Sequence, residues 1–86
     1  MSYCLAEGVL TQKLGSQVVL MHVLKGQYFE LNDTGAMVLE AILAGADEIA
    51  TAAQLSQRFD LDQISAQADV LALIKNLIDR ELLSLK

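Results

Sequence analysis

The hydrophobic pattern of this chain changes period once, near Asn32, from alternation in twos to a helical repeat. Strands must therefore come first and helices after, which makes the expected class α+β. From Val9 to Leu14 and from Gln17 to Leu24, short apolar runs flank Gly15-Ser16, a dipeptide suited to a two-residue type II′ hairpin turn. Lys25-Gly26 offers a second reversal, and Gln27-Tyr28-Phe29-Glu30-Leu31 reads as a third strand. Its alternation directs Phe29 and Leu31 to one face, expected to meet the core, and leaves Tyr28 nearer solvent. An open three-stranded meander of this kind leaves the outer side of its first and third strands unpaired. The third carries only Glu30 as a guard against strand addition.

Asn32 can end that strand and cap a helix, with Asp33 adding favourable charge in the first turn. Val38, Leu39, Ile42 and Leu43 recur at helical spacing, so the first helix is expected to reach about Ala44, with Gly45 just past its end. Thr51, with Gln54 three positions on, reads as a capping box opening a short second helix through Leu55 to Phe59. Asp60-Leu61-Asp62 breaks it. The last helix starts between Asp62 and Ser65, runs to about Arg80 and leaves Leu82, Leu83 and Leu85 as a short apolar tail. On that helix Ala66, Val70, Leu73 and Leu77 form one stripe, and Gln67, Leu71, Ile74 and Ile78 form a second beside it. Together they are wider than one packed neighbour needs. The second stripe either meets another element of the fold or lies in a groove.

Eighty-six residues give a prior of one domain, spanning 1–86 with its core in about 9–83. A core in so short a chain needs many aliphatic side chains or a covalent staple, and the sequence supplies sixteen leucines and a single cysteine. Cys4 alone can form neither an internal disulfide nor a multi-thiolate metal site, which suits a reducing, cytoplasmic location. The N-terminus lacks the basic and apolar regions of a signal peptide, and the longest stretch free of formal charge, Leu14 to Leu24, is too short for a membrane helix.

Chemistry finds little foothold. There is no glycine-rich phosphate loop, CxxC or HExxH, and one histidine and one cysteine are all that could act beside scattered carboxylates. His22 sits in a strand pattern, where it reads as a partly buried, hydrogen-bonded residue rather than a base. Asp60 and Asp62 lack the later glycine and glutamate of a calcium loop and read as turn and cap residues. No catalytic residue and no cofactor is expected. The net charge of −5 repels phosphate backbones and favours a basic partner. Helices after a small sheet also suit a winged-helix DNA-binding regulator, yet in residues 65–81 Lys75 and Arg80 are outnumbered by Asp69, Asp79 and Glu81. A structural module that buries the second stripe in a homodimer is the other alternative.

Several segments together resemble a known family: Tyr28-Phe29-Glu30-Leu31-Asn32, then Gly35, Thr51-Ala52-Ala53-Gln54-Leu55, and Asp69-Val70 followed by Leu73, Leu77 and Leu82-Leu83. In that order, across Val9 to Leu83, they are similar to the PqqD-like family of RiPP recognition elements. The resemblance implies a winged helix-turn-helix-like domain, a three-stranded antiparallel meander followed by three helices. Such a domain holds the leader segment of a ribosomally made precursor peptide and does not catalyse. The tyrosine and phenylalanine before the leucine-asparagine pair are most like the stand-alone proteins of lasso-peptide pathways. The chain departs from these in lacking an aromatic residue at Val38 or Leu39 and a proline early in the sequence.

By this resemblance the leader adds as a strand beside the third strand, in the cleft against the third helix. Tyr28, Phe29, Glu30 and Leu31 would then offer backbone pairing. Asp69, Val70, Leu71, Leu73, Ile74 and Ile78 would form the floor and wall of the groove. The implied partners are the leader and a separate processing enzyme, either a leader peptidase and cyclase or, in the quinone-cofactor branch, a radical enzyme.

Overall fold

The computed structural model describes residues 2–86, and its elements run β1 (Tyr3–Leu5), β2 (Val9–Leu14), β3 (Gln17–His22), β4 (Gln27–Leu31), α1 (Asp33–Leu43), α2 (Glu48–Phe59), α3 (Gln63–Asp79) and β5 (Leu83–Leu85). The expected meander is the antiparallel sheet β2-β3-β4, and the three helices follow it. Leu14 pairs with Gln17 around Gly15-Ser16. Gly15 has a φ of +64° while Ser16 keeps a negative φ, as a type II′ turn requires. Strand β3 ends at His22, two residues short of the expected Leu24. Its last rung faces Val9, where β2 begins, so no partner strand remains for Val23 and Leu24. Those two residues enter a four-residue loop closed by the Gly26 amide donating to the His22 carbonyl at 2.8 Å, with Gly26 at a φ of +63°.

Asn32 caps α1 as its sequence implies: its side-chain oxygen accepts from the Gly35 amide at 3.0 Å and from the Thr34 hydroxyl at 2.9 Å. The helix ends in a Schellman motif, in which the Gly45 amide donates to the Ile42 carbonyl and the Ala46 amide to that of Ala41. Helix α2 begins earlier than the capping box at Thr51 suggests. Asp47 is the cap, accepting from the Ala50 amide at 2.7 Å, and Thr51 lies inside the helix with no exposed surface. Asp60 closes α2 in the left-handed conformation and Asp62 caps α3 through the Ser65 amide.

The apolar tail is not a tail. Beyond Arg80, Glu81 turns the chain at a φ of +61°, the Leu82 amide donates back to the Leu77 carbonyl, and Leu83–Leu85 pairs antiparallel with Tyr3–Leu5. This two-stranded ribbon was not expected from either terminal sequence. It buries Tyr3, Leu82 and Leu83 in one core with Leu20, Leu39, Ile42, Leu55, Val70 and Leu77. The inward residues of β3 are Val18, Leu20 and His22, and α1, whose Ala36, Met37, Val38, Leu39 and Ile42 are buried, packs against this strand. No helix among the described residues is long and apolar enough to cross a membrane.

Candidate functional site

Strand β4 is an edge of the meander, with β3 on one side and, among the described residues, no strand on the other. Alternate peptide groups along that free side have no ladder partner. Alongside it runs a groove of ≈ 580 Å³ whose opposite wall is α3. Phe29, Glu30 and Leu31 border it from β4, and Asp69, Ala72 and Leu73 from α3. Val38, Leu55 and Leu61 make the apolar floor, and Asn32, Thr34, Gly35 and Gln17 close one end.

Local sequence explains how this gap stays open. Gly35 lies so close to β4 that a Cβ there would sit 3.2 Å from Leu31 Cδ2 and 3.3 Å from Leu31 Cβ, so α1 leaves the strand at close quarters. On α3 the position facing the strand between Asp69 and Leu73 is Ala72, exposed and too small to reach across. A smaller hollow of ≈ 270 Å³ continues past the other side of Phe29, bordered by Gln27, Tyr28, Arg80 and Leu82.

The ten residues singled out from sequence separate into three groups. Phe29, Glu30, Leu31, Asp69 and Leu73 border the groove, and Tyr28, which is 73% exposed, borders the smaller hollow. Val70 and Ile74 are in the core, at 0% and 4% exposure, facing inward with Ala66 and Leu77. Leu71 and Ile78 are exposed and lie on the other flank of α3, since two residues on from Asp69 or five on from Leu73 is about 140–200° around the axis. The first stripe read from the sequence holds, with Leu73 partly buried against the core, whereas the second is split between a buried Ile74 and the exposed Leu71 and Ile78. The buried line is Ala66-Val70-Ile74-Leu77, the groove takes Asp69 and Leu73 on one side of it, and Leu71 and Ile78 fall on the other.

Sequence reasoning missed Ala72, Val38, Leu55, Leu61 and Arg80 as groove or hollow residues. Only Ala72 left a trace, as a small residue within a leucine-rich helix.

Electrostatically the site is polarised. Among the described residues the ion pairs are Lys13–Glu40, Lys25–Glu81 and Lys75–Asp79, so Asp69 beside the groove has no cationic partner, nor has Glu30 on the opposite face of β4. Arg80, beside the smaller hollow, has no carboxylate partner. Among these residues no three of His, Cys, Asp or Glu gather as a metal site would need. His22 is 6% exposed with Nδ1 lacking a hydrogen-bond partner, and Cys4 lies on β1 opposite Ser84.

The family model for coenzyme PQQ synthesis protein D (PqqD) matches residues 17–83. No curated protein matches the chain. A solved structure of lasso peptide synthetase B1 complexed with the leader peptide superposes with a TM-score of 0.92 at 22% identity, covering 99% of this chain and 100% of that one. TbiB1 in complex with the TbiA(beta) leader peptide superposes at 0.86 with 21% identity, over 98% and 95% respectively. At these identities the likeness is one of fold.

Proposed function

Because this chain belongs to the PqqD family, we propose that it is a non-catalytic peptide-binding protein that recognises the leader of a ribosomally synthesised, modified precursor, of the lasso type. It would present that leader to a separate leader peptidase and cyclase in the cytoplasm. The observation that carries this reading is the unpaired edge of β4 bordering an apolar groove walled by α3. Two proteins of the same fold hold leader peptides in their solved structures, which supports the same class of ligand here.

The chemistry is that of strand addition. An extended leader lying along β4 satisfies the free amides and carbonyls of the edge, and these bonds are indifferent to side chains. Selection comes from alternate leader side chains, which turn toward α3 and bury apolar surface against Val38, Leu55, Leu61 and Leu73. Phe29 and Leu31 shape the strand side of that contact. A leader that is disordered when free loses conformational entropy on binding, so moderate rather than extreme affinity is expected. Release to the processing enzymes then remains easy.

The test is a fluorescence anisotropy titration with a labelled leader segment from a short precursor encoded beside this gene, against wild type and Ala72→Trp. Ala72 is exposed, so the indole should fill the groove without disturbing the core. Saturable binding to wild type with a loss of at least about tenfold in the variant is expected, about 1.4 kcal/mol. Equal affinity in the two proteins would remove the groove from the mechanism.

A further inference from the structure

The groove and the smaller hollow are two parts of one trough, because Phe29 borders both. Its two ends carry opposite charge. Asp69 lies where β4 ends at Leu31, and Arg80 lies where β4 begins at Gln27. Neither is neutralised by an ion pair within the described residues. The carboxylates adjacent to Arg80 in sequence, Asp79 and Glu81, are each engaged by a lysine, Lys75 and Lys25. The Arg80 Nε donates to Asn76 and the guanidinium lies over the Phe29 ring, which holds the charge at the trough and leaves its Nη groups available.

From this polarity we propose that the trough selects and orients an extended peptide segment that carries a Lys or Arg followed four residues later by an Asp or Glu. The inference rests on leader recognition at β4 and adds the direction and charge pattern of the segment. Direction follows from pairing: an added strand antiparallel to β4 continues the antiparallel sheet, so its first residues lie beside Leu31 and its last beside Gln27. The cation must then come first, at Asp69, and the anion second, at Arg80.

Spacing follows from two rulers. Along β4 the ends are the four residues from Gln27 to Leu31, about 13 Å of extended chain. Along α3, Asp69 and Arg80 are about 16 Å apart by helical rise, and the bond to Asn76 draws the guanidinium back toward Asp69. Side chains of a strand that share a face are separated by even numbers of residues, and four is the even number that fits both.

The experiment uses a phage-displayed library of random twelve-residue peptides, selected on the full chain as wild type, Arg80→Glu, Asp69→Arg and Ala72→Trp. Wild type should enrich a basic residue followed at +4 by an acidic one. Arg80→Glu should switch the second position to basic and bind the wild-type-selected peptide about tenfold more weakly, and Asp69→Arg should switch the first position to acidic. Two independent charge reversals on exposed side chains keep the test decisive if either variant folds poorly. Peptides selected by wild type without charge order, or selected identically by both reversals, would overturn the proposed polarity while leaving groove binding intact. Selection by Ala72→Trp equal to that by wild type would overturn both the polarity and recognition in this groove.

Discussion

The Arg80 guanidinium lies over the ring of Phe29, its Cζ 4.8 Å from the ring centroid, and this contact ties the last turn of α3 to the free edge strand. The Nε of the same side chain donates to Asn76 Oδ1 at 2.9 Å, so the stack is held from two directions. At an exposed site such a cation–π contact contributes about 0.5–1 kcal/mol. Arg80→Ala should lower unfolding free energy by about that amount in urea titrations, and Arg80→Lys should restore only part of it, because an ammonium cannot stack as a plane.

Adjacent residues on α3 should respond differently to truncation. Ile74, 4% exposed, packs into the core, whereas Leu73 is half-buried at the groove. Ile74→Ala is expected to cost about 2–4 kcal/mol, a large part of the stability of a domain this size, and Ile74→Asp to unfold it. Leu73→Ala should cost nearer to about 1 kcal/mol while weakening leader binding. Urea unfolding separates the first effect from the second, which anisotropy reads on protein shown by circular dichroism to be folded. If Ile74→Ala proved as mild as Leu73→Ala, the assignment of faces on α3 would be wrong.

How much of this was legible beforehand depends on the range of the interaction concerned. The strand-to-helix change, the Gly15 turn, the caps at Asn32 and Asp62 and the break at Asp60 are local, and each follows from residues within a few positions. The start of α2 was misplaced because Thr51 with Gln54 has the form of a capping box, whereas the cap that forms is Asp47. The core decides it, since Thr51 is fully buried. Pairing of Tyr3 with Leu85 joins opposite ends of the chain, and two three-residue segments show too little pattern to announce it. For the site, β4 was readable from its alternation. The groove side of α3 was not, because adjacent apolar stripes look equivalent until α2 and the sheet have packed against the helix.

Thr51 offers a gain in stability. It has no exposed surface, and its Oγ1 has no hydrogen-bond partner among the described residues, so folding strips water from a hydroxyl and returns nothing. Valine has nearly the same shape. Thr51→Val should therefore raise unfolding free energy by about 1 kcal/mol, moving the urea midpoint upward at unchanged slope. Thr51→Ser keeps the hydroxyl and removes a methyl group, so it should move the midpoint down.

The terminal ribbon should make stability depend on pH at both extremes through one bond. The Tyr3 hydroxyl donates to Glu48 Oε1 at 2.5 Å, fastening β1 to the first turn of α2. That bond, with one from its own backbone amide, holds the Glu48 carboxyl below its ordinary value of 4.5. The same bond, then burial and the nearby negative charge, pushes the Tyr3 hydroxyl above its ordinary 10.0. A depressed carboxyl contributes stability that is present above its unfolded value and lost as pH falls through the lower folded one. A raised hydroxyl contributes stability that is present below its unfolded value and lost as pH rises through the higher folded one. Tyr3→Phe should thus destabilise by about 1 kcal/mol at pH 7, the yield expected of a hydrogen bond to a partly exposed carboxylate. The gap between the two proteins should close as pH falls below about 4.5 and again as it rises past about 10. Urea unfolding at pH 3, 7 and 10.5 measures all three points, and a gap that stayed constant across them would mean that the hydroxyl acts through packing and not through its bond to Glu48.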